Sequence, residues 1–204
     1  MDRETKLREL DQLRSNMQRL EAELAQEAAV GQWPPRTYYT VYHVLAGFVL
    51  GMFGAAASLL FNIVGSVLVG QHPLQLIRVY LTFPLGETAL HEDTGLSLAI
   101  GCCLYLGTGA VLGIPFHLIL SRWFAAASLA TRWLAVSALA LAVWLVNFYG
   151  ILIWLQPLLF HGRWIVDGIP WWVAVWTHLV FGWTLLLAQP LGVYVPYLPK
   201  REAS

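Results

Sequence analysis

Residues 37–77 read TYYTVYHVLAGFVLGMFGAAASLLFNIVGSVLVGQHPLQLI, a run of 41 positions without Asp, Glu, Lys or Arg. As one helix rising 1.5 Å per residue it would be about 60 Å long, twice the roughly 30 Å hydrocarbon core of a bilayer. It therefore cannot be one straight span. Gln71, His72 and Pro73 supply the break, because proline has no amide hydrogen to donate. A first span is predicted over 40–69. Beyond the break, Leu74, Ile77 and Leu81 mark one face of a short segment, 73–83, that carries Arg78 and ends at Pro84. This segment is expected to lie at the outer interface or to re-enter shallowly.

Three more charge-free runs follow: Thr94 to Ser121, Trp133 to Gly162 and Gly168 to Pro199. Each is longer than the roughly 20 residues that cross the hydrocarbon, so spans are predicted over 96–120, 133–156 and 171–193. The chain is 58% hydrophobic and 12% charged, and a soluble domain carries about 25% charged residues. The fold class that follows is an all-α integral membrane protein of four transmembrane helices over 40–199, with one external interfacial helix and a tail at 200–204.

Upstream, residues 1–30 read as a cytoplasmic amphipathic or coiled-coil helix. Leu10, Leu13, Met17, Leu20 and Leu24 fall on the a and d places of about two heptads, a stripe suited to docking a partner or a second copy. Seven acidic residues against five basic ones disfavour an anionic lipid surface for it. Residues 31–39, with Trp33, Pro34 and Pro35, form a hinge, and the aromatic residues there suit a membrane boundary. No basic n-region with a short apolar core opens the chain, so the mature protein is expected to begin at or near Met1.

With four spans, Arg3, Lys6, Arg8, Arg14, Arg19, Arg36, Arg122, Arg132, Lys200 and Arg201 share one side, and Arg78 and Arg163 the other. The positive-inside rule then places both termini in the cytoplasm, in a multi-pass protein expected in a bacterial inner membrane. Formal net charge is zero, which gives no basic field for nucleic acid.

Two small-residue faces stand out: Gly47, Gly51 and Ala55 in the first span, and Gly109 and Gly113 in the second. Such spacing lets helix backbones approach closely, within the bundle or between copies. Polar side chains at bilayer depth are few, and no carboxylate or cation lies in a span core, which argues against an ion-coupled pump. His43 and His117 come out at matched depth on adjacent antiparallel helices, the arrangement that bis-histidine ligation of a b-type haem requires. Asn147 and His178 also share a depth, and an interhelical hydrogen bond between them is expected. Cys102 and Cys103 are neighbours and read as small apolar packers.

Gly-x-Ser-x-Gly, Gly-x-x-x-x-Gly-Lys, Gly-x-Gly-x-x-Gly and His-Glu-x-x-His are all absent from the sequence, so no enzyme activity, resident cofactor or metal site is expected. The functional expectation is a non-catalytic accessory subunit of a larger membrane complex, whose partners are lipid and other subunits or its own copies. The alternatives are an electron-transfer subunit holding haem b between His43 and His117, and a passive channel or carrier for a small neutral solute.

Overall fold

In a computed structural model of the chain, residues 9, 10, 12–20, 23 and 36–193 are described. The chain divides into two compact units, 1–41 and 42–204. In the first, residues 9, 10, 12–20 and 23 are helical and exposed, and Arg19 pairs with Glu23 one turn on at 3.6 Å. Leu24 lies outside the described residues, as do residues 24–35 and 194–204.

The long charge-free run folds as helix α1, Arg36–Leu68. It ends in a Schellman motif. Gly70, at φ +72°, takes the left-handed position. The Gln71 amide reaches the Ser66 carbonyl at 2.8 Å and the Gly70 amide that of Val67 at 3.1 Å, satisfying carbonyls the helix end would orphan. After Pro73 the chain forms α2, Gln75–Leu85, then a 3-10 turn, Gly86–His91. The segment expected at 73–83 thus starts and ends two residues later, with Pro84 inside its last turn. Ile77, Val79, Leu81 and Thr82 of α2 are all buried, so the helix is built into the bundle on more than the face that Leu74, Ile77 and Leu81 define.

Helix α3, Gly95–Trp123, is followed by α4, Leu129–Leu145. Ser128 caps α4 by accepting the Thr131 amide at 3.2 Å, as an N-cap serine does. From α4 the chain continues through a π-helical segment, Val146–Leu152, into α5, Ile153–Phe160. The third span was expected over 133–156. The continuous helix instead covers 129–160, because the Ser128 cap starts it earlier and Pro157 is carried within α5. It stops at His161, whose φ of 62° turns the chain and whose amide closes on the Pro157 carbonyl at 3.0 Å. A short α6, Trp164–Gly168, leads through Pro170 into α7, Trp171–Ala188, and a final 3-10 turn, Gln189–Gly192.

No strand occurs among the described residues, and four helices are long and apolar enough to cross a membrane: Thr40–Leu68, Gly95–Trp123, Leu129–Phe160 and Trp171–Gly192. Helix α4 packs along α7, and α2 packs against α3, α5 and α6. The main core joins Leu50 and Ala55 of α1, Phe116 and Leu120 of α3, Val136 and Ala140 of α4, and Phe181 and Leu185 of α7.

Between α2 and α3, Asp93 accepts from the Arg78 guanidinium, and Arg78 Nε also donates to the Glu92 carbonyl at 2.9 Å. The Glu92 carboxylate caps the turn into α3 by accepting the Thr94 amide at 2.8 Å. Hydrogen bonds from Thr94, its side chain first and then its backbone, hold the Glu92 carboxyl below its usual range. A depressed pKa means that this contribution is present above the ordinary glutamate pKa and is lost as pH falls through the depressed value. Amide exchange at Thr94, corrected for intrinsic rate, should therefore stay constant down to the ordinary carboxylate range and accelerate only below it. Acceleration already near neutral pH would refute the capping role.

Candidate functional site

Three places gather the residues singled out from the sequence. The first is a seam between α1 and α3. A Cβ added at Gly51 would stand 2.8 Å from Gly113 Cα and 3.0 Å from Ala110 Cα; one at Gly47 would stand 2.8 Å from Ile114 Cα. A Cβ at Gly109 would run into that of Ala55. The two backbones are thus in direct contact, and both small-residue faces are covered by each other inside the bundle. That leaves neither face open for pairing with a second copy.

The second place lies at one end of the same seam. His43 Nδ1 and His117 Nε2 are 3.2 Å apart in a hydrogen bond, their ring centroids separated by 5.3 Å. Ser121 Oγ lies 3.4 Å from His117 Nε2, and Gln189 Nε2 donates to Ser121 Oγ at 3.5 Å. His117 and Gln189 are buried, and His117 Nδ1 and Gln189 Oε1 have no hydrogen-bond partner among the described residues. The pair does not have the spacing of iron ligands. Two imidazoles on opposite sides of a metal, each bonded at about 2.0 Å, stand about 4 Å apart, with the macrocycle between them. Here the rings touch directly, and a Cβ at Gly192 would lie 2.8 Å from Leu50 and 3.0 Å from the His117 ring, so the surroundings are also closed.

The third place is a cavity of about 500 Å³ bounded by α1, α2, α3, the end of α4, the π segment, α6 and α7. This is in the range of small-molecule pockets, about 300–1,000 Å³. Asn147 and His178 both line it. The hydrogen bond expected between them is not formed among the described residues. His178 Nδ1 instead meets the Ala174 carbonyl of its own helix at 2.8 Å, and Asn147 sits in the π segment, where an i→i+5 turn alters the direction a side chain takes from the helix.

The interhelical polar bonds that do form use other residues. Asn62 Nδ2 donates to Thr177 Oγ1 at 2.8 Å, joining α1 to α7. Ser58 and Tyr105 hydroxyls meet at 2.9 Å, joining α1 to α3. Trp183 Nε1 donates to Ser137 Oγ at 2.9 Å, joining α7 to α4. Asn62 and Thr177 stand out in the sequence as polar groups in apolar runs, but only the rotation of each helix about its axis pairs them. Among the described residues, no group of three or more His, Cys, Asp or Glu side chains is placed to hold a metal ion. Cys102 is half-buried and Cys103 exposed, both as free thiols. No protein-family model, curated protein or solved structure matches the chain.

Proposed function

We propose that the chain is a non-catalytic accessory subunit of a larger assembly in a bacterial inner membrane, gripping a partner subunit through its N-terminal helix. The observation that carries this reading is the stripe formed by Leu10, Leu13, Met17 and Leu20, which are 49, 61, 61 and 53% exposed. Burying one such side chain contributes about 1.5–3 kcal/mol. A helix this short is marginal in water unless something covers its apolar face. Support for a cytoplasmic stripe comes from the sequence: positive charge is concentrated on the side of the four spans that carries the N-terminus, as the positive-inside rule expects of the cytoplasmic side. The haem alternative would need His43 and His117 to separate from their hydrogen bond, and draws no support from their geometry.

The test is the size of the assembly extracted gently from native membranes, for the full chain and for a Leu13→Asp, Met17→Asp variant. The expected result is a larger complex for the unaltered chain and a single copy for the variant, both inserted and equally abundant. A variant that retains the complex, or an unaltered chain that migrates alone, would overturn the reading. Recovery of nothing but a second, differently tagged copy would overturn the partner-subunit form of it.

A further inference from the structure

The 500 Å³ cavity is a site that the docking role of the N-terminal helix does not use. Among the described residues its lining contains no Asp, Glu, Lys or Arg, so none of them compensates a phosphate, carboxylate or ammonium taken out of water. Leu104, Thr108 and Ile151 on its wall are also exposed on the apolar surface of the helices. Entry therefore leads from the lipid-facing side of candidate spans, and a guest arrives dissolved in hydrocarbon.

Two polar groups inside it have unused capacity. A carbonyl oxygen only accepts, so the contact with Ala174 fixes the His178 proton on Nδ1 and leaves Nε2 with a free lone pair. The Asn147 side chain makes no hydrogen bond among the described residues although it is half-buried on the cavity wall. It stands in the π-helical turn, and π turns inside α-helices are uncommon and concentrate at functional sites. An acceptor and an amide donor in one uncharged, apolar chamber match a hydroxyl, which gives its proton to the first and accepts from the second.

We propose that this cavity binds a neutral lipid-soluble alcohol taken from the bilayer. Its hydroxyl donates to His178 Nε2 and accepts from the Asn147 amide, and its hydrocarbon body lies among Phe148, Leu112 and Phe181. A hydrocarbon lacking the hydroxyl leaves both polar groups unpaired. A fatty acid or phosphate ester brings a charge that no lining residue balances.

The experiment is binding of tritiated hexadecanol to the purified full chain in phospholipid nanodiscs, competed with hexadecane and with palmitate. Saturable binding of hexadecanol is expected. Each competitor should be weaker by about tenfold or more, the equivalent of roughly 1.4 kcal/mol. His178→Phe should weaken hexadecanol by a similar factor. Thr108→Trp, at the exposed mouth, gives up the hydrogen bond to Tyr80 and should abolish binding while the far-ultraviolet circular dichroism of the variant stays that of the unaltered chain. Absence of saturable binding, equal affinity for all three probes, or unchanged affinity in Thr108→Trp would each overturn the proposal. The size of the native assembly plays no part in this readout, so the site stands or falls independently of the docking reading.

Discussion

Gly113→Val should prevent α1 and α3 from closing, lowering the stability of the bundle by more than about 3 kcal/mol, above the usual 1–3 kcal/mol for an overpacked core. The reason is what the new side chain meets. A Cβ at Gly113 would lie 2.7 Å from the Gly51 amide nitrogen and against Gly51 Cα and the Gly47 carbonyl oxygen. All three are backbone atoms, so no rotamer change relieves the overlap and the helices themselves must separate. Separation would also pull apart the Ser58 to Tyr105 and His43 to His117 hydrogen bonds that cross the same seam. Gly107→Val is the control, because a Cβ there meets nothing within 4 Å among the described residues; it should shift stability by less than about 0.5 kcal/mol. Reversible unfolding in mixed sodium dodecyl sulfate and maltoside micelles, followed by tryptophan fluorescence, measures both. Similar losses in the two variants would mean that close approach along the seam is not what holds α1 to α3.

Gln156→Leu should be the second costly change, by about 1–3 kcal/mol for a buried donor left unpaired. Gln156 is fully buried. Its Oε1 accepts the Ile165 amide at 3.0 Å and its Nε2 donates to Thr82 Oγ1 at 3.0 Å. Ile165 lies in the first turn of α6, where amides have no carbonyl of their own helix to reach. One side chain from α5 thus caps α6 and ties both to α2. Leucine keeps the bulk but strands the Ile165 amide in a buried setting. Hydrogen exchange of residues 164–168 should accelerate in the variant while that of α3 is unchanged. Unaltered protection of that stretch would show that the glutamine is not the cap.

The four candidate spans were legible because charge is so costly in hydrocarbon that its absence over 28 or more residues writes each run plainly into the sequence. Their exact ends were less so. The third was expected to end at 156, yet α5 carries Pro157 and continues to Phe160. The Gly47, Gly51, Ala55 face and the Gly109, Gly113 face were visible from spacing, but not that each is the other's partner. Depth was legible too, since rise per residue is nearly constant. It brought His43 to the level of His117, where the two rings touch. It also brought Asn147 level with His178, and there it failed, because depth says nothing of rotation about the helix axis. The pairing of Asn62 with Thr177 and the cavity itself depend on that rotation and on how several helices lean together, which no local pattern in one chain records.

The π-helical turn at Val146–Leu152 makes the third candidate span two helices spliced out of phase. Such a turn accommodates about one residue more than regular winding does, and each residue of an α-helix advances the side-chain direction by about 100°. Rewind the same residues as regular α-helix, and everything downstream would swing by about that angle while staying in a helix of nearly the same length. The upper half could keep its ridge on α7, but Gln156 would swing away from Thr82 and Ile165. One extra residue therefore lets a single rod serve two sets of neighbours, α7 along α4 and α2 along α5. Substitutions that keep the wide turn keep that angular setting, whereas those that let the stretch rewind as regular α-helix reset it, however well the hydropathy is preserved.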